Sequence, residues 1–414
     1  MMQKSYLLTL FILLSTTLAA SDIYQRFTMR QTDIDAVLDN AIISTIASKT
    51  QLPADISYVC ADIKSDGEKL TFCECGDGIY MSFRAADVEL NGHKQNVVSP
   101  YWGIFWHYLK RFNLPIWHVG ATGPAHAMAM HELEKVGGMH FQNLQELAKD
   151  PLFKRISQQP FNKTNAIKSH KGIIVYRAKT EQTRDCKAFI DFQKNHPQFL
   201  FVNALARDHI KRKDHTYSLF HKAHLDQHIP RHKVYSTSYN QTLAQQICND
   251  IDSELLIIKP VFSSLSNGVN AIDRGNLDNL LKLILRDKND IELNAHRCFG
   301  HWRRSHAGSF IASEYVPSKT IYKDKKPYDP TMRVVFMLHH DNNVITTTLI
   351  AGFWKIPVKS LTDNVSHTDQ RITIAHAGAY YSGIMMDNQD WYNIKNILHA
   401  ILPQLYETML TQEA

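Results

Sequence analysis

Apolar residues fall into two spacings along this chain, and together they predict alternating helices and strands. Ile34, Val37, Leu38, Ile42, Ile43 and Ile46 recur at helical spacing and predict a helix within residues 21–50. Short apolar and alternating runs over 56–83 (ISYVCADI, KLTFCECG, GIYMSF) predict strands, with Gly76 and Gly78 punctuating the last turn. The aromatic stretch 101–109 predicts a buried helix in which Trp102, Phe105, Trp106 and Tyr108 are core residues. Strands are then expected at 114–120, 171–176 and 199–203, and helices at 125–136 and 183–195. This alternation implies an α/β layer with a largely parallel sheet.

The second half has a different rhythm. A helix over 213–225 stops before Pro230, and another is expected at 243–251. The run Glu254-Leu255-Leu256-Ile257-Ile258-Lys259-Pro260 reads as a buried strand ending in a lysine. A turn over 263–268, a strand over 269–272, a helix over 277–285 and a strand over 310–317 follow. Strands at 332–338 and 344–350, the latter continuing through 355, flank the turn Asp341-Asn342-Asn343. An amphipathic helix over 391–410 ends the pattern.

Composition changes this picture little. With 44% hydrophobic and 21% charged residues, the 414-residue chain is too apolar to be disordered and long enough for two or three domains. The net charge of +6 is spread along the chain without the basic stripe of a nucleic-acid binder. The N-terminus adds more. Lys4, the apolar run Tyr6 to Leu14 and the small residues up to Ala20 form a secretory signal pattern. That run falls short of the ~20 apolar residues of a spanning helix. The expectation is a signal peptide at 1–20, cleavage after Ala19 or Ala20, a secreted or periplasmic protein and no membrane span afterwards. In such a chain Cys60 pairs with Cys73 or Cys75, or the thiols stay free; Cys73-x-Cys75 lacks zinc-finger spacing. His221, His224, His228 and His232 cluster without an H-E-x-x-H pattern, so a solvated helix is expected there rather than a zinc site.

The chemistry centres on Lys259. A lysine ending a buried apolar strand is costly unless an anion meets it. The small residues that follow, Ser263, Ser264, Ser266, Asn267 and Gly268, let backbone N–H groups approach a ligand such as a phosphate. Neither a Walker A nor a Rossmann glycine pattern is present.

The order of these elements resembles the ATP-grasp superfamily over roughly residues 185–390. The resemblance rests on Lys213-x-x-Thr216, Ile257-Ile258-Lys259-Pro260, the 263–268 loop, the strand Ile311-Ala312-Ser313-Glu314-Tyr315-Val316-Pro317 and Met332-Arg333-Val334-Val335-Phe336. It implies an N-terminal α/β domain (21–184) followed by an ATP-grasp-like α+β domain (185–414). It also implies an ATP-dependent carboxylate–amine ligase acting through an acyl-phosphate. Lys213 and Lys259 would contact ATP phosphates, with Ser263, Ser264, Ser266, Asn267 and Gly268 closing over them. The backbone of Glu314, Tyr315 and Val316 would meet the adenine edge, and the Glu314 carboxylate its exocyclic amine. Arg333 and Lys355 would stabilise charge on the transferred phosphate. Glu292-Leu293-Asn294 has the family's metal-site spacing but precedes the hinge strand, so Asp387 and Asn388 are the expected Mg2+ ligands, with His376 aimed into the same cleft. A metal site this altered leaves two alternatives, a non-catalytic nucleotide- or ligand-binding protein and a secreted effector on the same scaffold.

Overall fold

In chain order the early strands are β1 (Ile42–Ala47), β2 (Asp55–Ser65), β3 (Leu70–Gly76), β4 (Ile116–Val119), β5 (Met139–Phe141), β6 (Gly172–Tyr176) and β7 (Phe199–Phe201). They are followed by β8 (His232–Ser236), β9 (Leu255–Pro260), β10 (Asn270–Asp273) and β11 (Ser309–Glu314). The last are β12 (Ile321–Lys323), β13 (Lys326–Tyr328), β14 (Thr331–Asp341), β15 (Val344–Ile356) and β16 (Ser382–Met385). The computed structural model describes residues 38–76, 100–120, 124–162, 164–176, 183–206, 209–210, 212–263, 266–286, 302, 308–373 and 382–413. The signal at 1–20, the strand GIYMSF, Ser264, Glu292, Asn294 and His376 lie outside the described residues. Among the described residues no helix is long and apolar enough to cross a membrane.

The chain is α/β, and its sheets have distinct characters. The expected parallel layer is the sheet β5-β4-β6-β7, in which every pairing is parallel. An antiparallel sheet β10-β9-β11-β8 packs on the helices Leu243–Asp250 and Leu277–Leu281. The largest sheet, β1-β15-β14-β2-β3 with β16 also on β15, is antiparallel. Its strand β2 is buried at every position because both faces are covered. Ile56, Tyr58 and Cys60 pack with Trp102, Phe105 and Leu109 of the helix Pro100–Lys110. Val59, Ala61 and Ile63 pack on the opposite side with Leu398 and Leu402 of the helix Asn388–Glu413. Strand period sends alternate side chains to opposite faces, so one strand serves two cores. The expected aromatic core at 102–108 is in place.

Several expectations are corrected. β2, assigned to a unit ending at residue 184, pairs with β14, and β3 joins through β2, so the central sheet draws strands from both sides of that boundary. Residues 42–47 are not helical. The run Ile42-Ile43-Ser44-Thr45-Ile46, rich in β-branched Ile and Thr, gains the backbone partners of β15 as strand β1, and tertiary pairing overrides the helical spacing. Cys73 and Cys75 are free thiols. Cys60 belongs to one core and Cys75 to the other, on opposite faces of the sheet, which separates their sulfurs. His224 and His228 do not share a helix face. The helix ends at Lys222, and His224 takes a left-handed conformation (φ 55°) that closes it. The Asp341-Asn342-Asn343 hairpin turn forms as expected, with positive φ at both asparagines (50° and 63°) matching a type I′ turn.

Candidate functional site

Lys259 leaves the end of β9 and is 5% exposed. Its ammonium donates to the Cys73 carbonyl at 3.0 Å and the Tyr217 hydroxyl at 2.6 Å. Cys73 is the residue skipped in the β2–β3 register, where Asp62 faces Glu74 and Ile63 faces Phe72, and such a bulge re-aims the backbone. Tyr217 lies one turn beyond Lys213 on the helix Lys213–Lys222 and donates to the same Cys73 carbonyl at 3.0 Å. Burial lowers the Lys259 pKa from its usual value to about 8, with neighbouring Lys213 adding to the effect, while Cys73 and Glu74 oppose it. The Tyr217 hydroxyl is pushed well above 10 by burial, so it stays protonated beside the lysine.

Lys213 is also buried. It donates to the Ser263 carbonyl at 2.7 Å and the Ser263 hydroxyl at 3.0 Å, with Glu74 at 3.6 Å. The turn beyond it is held open by left-handed residues, Ser266 (φ 56°) and Gly268 (φ 77°). The Gly268 carbonyl accepts from Asn270 at 3.0 Å and from the Trp302 indole at 2.9 Å. The Ser266 hydroxyl donates to the Thr373 carbonyl at 3.2 Å, and Asn267 occupies the turn between Ser266 and Gly268.

Lys259, Ser266, Glu314, Tyr315 and Val316 all line one cavity of about 80 Å³. The sequence reading missed its other charged walls, Asp62, Lys64, Glu74 and Arg371. Asp329 is buried behind the wall and organises part of it, accepting from Lys64 Nζ at 2.9 Å, Ser318 N at 3.0 Å, the Tyr315 hydroxyl, and Arg371 Nη1 at 3.3 Å. Asp62 and Lys64, two residues apart within apolar β2, were the visible signal that one face of that strand meets charge. Which partners they meet follows only from the pairing of β2 with β14.

Other expected site residues are engaged elsewhere. Arg333 holds Asp62 through two bonds of 2.8 and 2.9 Å, and Lys355 reaches the same carboxylate at 2.5 Å. Burial pushes the Asp62 pKa up, but the two cations outweigh it and hold the carboxyl far below its usual range. Glu314 accepts from Arg231 through both N (2.9 Å) and Nε (2.7 Å), so its carboxylate is occupied by protein. The Glu314 and Tyr315 N–H groups already donate to the carbonyls of Arg231 and Leu255, at 2.9 and 3.0 Å. An adenine edge therefore finds neither donor available.

Asp387 does not face the cavity lining. Its carboxylate accepts from Asp390 N at 2.7 Å, capping the helix that Asn388 begins. The described residues contain no group of three or more His, Cys, Asp or Glu placed to hold a metal. The Asp387 carboxylate, implied by the resemblance as a Mg2+ ligand, already serves as this cap. The cap gives a direct measurement: Asp387→Ala lowers stability by about 1 kcal/mol in a denaturant titration. A stability change near zero would contradict the capping role.

Across the cavity and its supports, seven cations (Lys64, Lys213, Arg231, Lys259, Arg333, Lys355, Arg371) meet four carboxylates (Asp62, Glu74, Glu314, Asp329). The excess of three positive charges makes the cavity an anion-attracting site.

No family model matches the chain, and no curated protein matches it. Among solved structures it is similar to a gamma-glutamylcysteine synthetase-like protein of Methylobacillus flagellatus KT (11% identity, 96% of this chain and 97% of that one, TM-score 0.41). It is also similar to the D-alanyl-alanine synthetase A of Vibrio cholerae O1 biovar eltor (8% identity, 71% and 81%, TM-score 0.35). A third similar structure is the D-alanine-D-alanine ligase of Coxiella burnetii (10% identity, 72% and 96%, TM-score 0.29). Likeness at this level assigns no residue a role, and the site is read from its own side chains.

Proposed function

We propose that this cavity receives the polyphosphate of a nucleoside triphosphate, and that the chain is an ATP-dependent carboxylate–amine ligase of ATP-grasp type. The single observation behind this reading is the Lys259 ammonium, buried and bonded to two neutral oxygens on the wall of a cationic cavity. A buried charge without a close counter-ion is costly, and an anion entering from the cavity supplies one. Lys213, one ring of contacts away, holds the Ser263 end of the turn that would close over the phosphates. The chemistry asks for positioning and charge neutralisation rather than a protein nucleophile. The cavity is small beside the ~300–1,000 Å³ of pockets that take whole small molecules. A nucleotide enters only as its walls part, at contacts such as Ser266 to Thr373.

A second reading, a nucleotide-binding module without turnover, is favoured by the capping role of Asp387 and by the hold of Asp62 on Arg333 and Lys355. Thermal melting separates the readings. ATP at about 100 times its dissociation constant adds about 2.7 kcal/mol of stability. Phosphate release that depends on one carboxylate–amine pair supports the ligase, and a melting shift without release supports the module. No shift with ATP, ADP or GTP, with or without Mg2+, removes both. Export remains part of the proposal, on the strength of the signal pattern at 1–20. N-terminal sequencing of the protein recovered outside the cytoplasm tests it, and a start at Ser21 or Ala20 is the expected result.

A further inference from the structure

Arg371 ends the helix His367–Arg371, which is fixed to the edge strand β10. Thr368 Oγ1 accepts from Ala271 N at 3.0 Å and donates to the Ala271 carbonyl at 3.2 Å. The guanidinium reaches the cavity wall over Tyr315, 5.1 Å from the ring centroid. A guanidinium has five donors in a rigid fork. Here Nη1 makes one long contact, 3.3 Å to Asp329, and Nε is buried without a hydrogen-bond partner among the described residues. Charge-assisted bonds usually measure ~2.7–2.9 Å, so this is a loose hold. Asp329 does not depend on it, since Lys64, Ser318 N and the Tyr315 hydroxyl already satisfy that carboxylate. Arg333, by contrast, has both ends of its fork on Asp62.

We propose that Arg371 binds an oxyanion of the ligand in this cavity, a phosphoryl or a carboxylate group, together with Lys259. The proposal rests on reading the cavity as an anion site and names a recognition residue that the sequence pattern did not single out. Tyr315 packs against the guanidinium, the Thr368 anchor fixes its origin, and a planar fork suits two oxygens of one group.

The test titrates the full-length protein, Arg371→Gln, Arg371→Lys and Lys259→Met with inorganic pyrophosphate, succinate and ATP. Unliganded Arg371→Gln melts near wild type, because Asp329 keeps Lys64. Its affinity for at least one of the three falls by about tenfold or more. Arg371→Lys recovers only part of that loss, since charge returns without the fork. A loss confined to pyrophosphate and ATP identifies a phosphoryl group, and one confined to succinate identifies a carboxylate. Unchanged affinities in Arg371→Gln overturn the proposal, as does wild-type protein that binds none of the three. If Lys259→Met loses pyrophosphate while Arg371→Gln keeps every ligand, the anion site stands and the role of Arg371 falls.

Discussion

Asp62→Asn lowers the stability of the folded protein by about 3–5 kcal/mol at neutral pH, the range seen when one partner of a buried ionic cluster is removed. The carboxylate is the shared counter-ion of Arg333 and Lys355, and Lys355 is 2% exposed. Asparagine keeps one acceptor oxygen but removes the negative charge that both cations meet at this position. Guanidinium titration reads the loss directly. The pH dependence gives a second signature. The folded pKa of Asp62 lies below its unfolded value, so its contribution is complete above about pH 4 and is lost as pH falls further. Wild type therefore loses stability steeply on acidification, and the variant shows a flatter acid limb. Adding Lys355→Met to Asp62→Asn recovers part of the loss, because one of the two buried cations that met Asp62 is gone. A single-variant loss under 1 kcal/mol, or a double variant weaker still, would contradict this account.

That cluster also marks how far the sequence could be read. Strong local patterns were legible: the helix Thr183–Asn195, the strand carrying Lys259 and the hairpin at Asn342-Asn343 all form where spacing and turn chemistry place them. The cavity was legible from one side only. Lys213, Lys259 and the Ser266–Gly268 turn lie close together in the chain and announce themselves as cations beside small residues. The opposite wall comes from β2 and β3, some 150 residues earlier than Lys213. Asp62 meets Arg333 only because β2 and β14 align in register, a long-range pairing that no local pattern encodes. Arg333 and Lys355 were read as ligand-facing because the carboxylate that neutralises them was invisible from their own segment. Asp387 is ambiguous for a related reason: an Asp-Asn pair at the start of a helix suits a cap as well as a metal.

Replacing Lys259 with methionine makes the unliganded protein more stable and weakens its response to polyphosphate. These opposite signs are what a binding lysine predicts and a structural lysine does not. The pKa held at about 8, against 10.5 in solution, corresponds to roughly 3 kcal/mol of unfavourable environment for the charged form. Methionine fills a similar volume without the charge. It strands no polar atom, because the Tyr217 hydroxyl and the Cys73 carbonyl remain bonded to each other at 3.0 Å. A gain of about 1–3 kcal/mol at pH 7 follows. The lowered pKa also fixes the alkaline behaviour. The unfolded chain binds more protons than the folded one between pH 8 and 10.5, so this lysine's penalty fades as pH rises through that window. Wild type recovers stability there relative to the variant, and the difference between the two curves narrows. With ligand the order reverses. A phosphate restores the ammonium's counter-ion in wild type, whereas the variant loses a charge-assisted bond worth about 1.5–3 kcal/mol, or ten- to a hundredfold in affinity. Binding to wild type above pH 8 takes up a proton, which calorimetry in buffers of different ionisation enthalpy measures. A variant that is less stable than wild type yet still melts higher with pyrophosphate would remove Lys259 from the anion site.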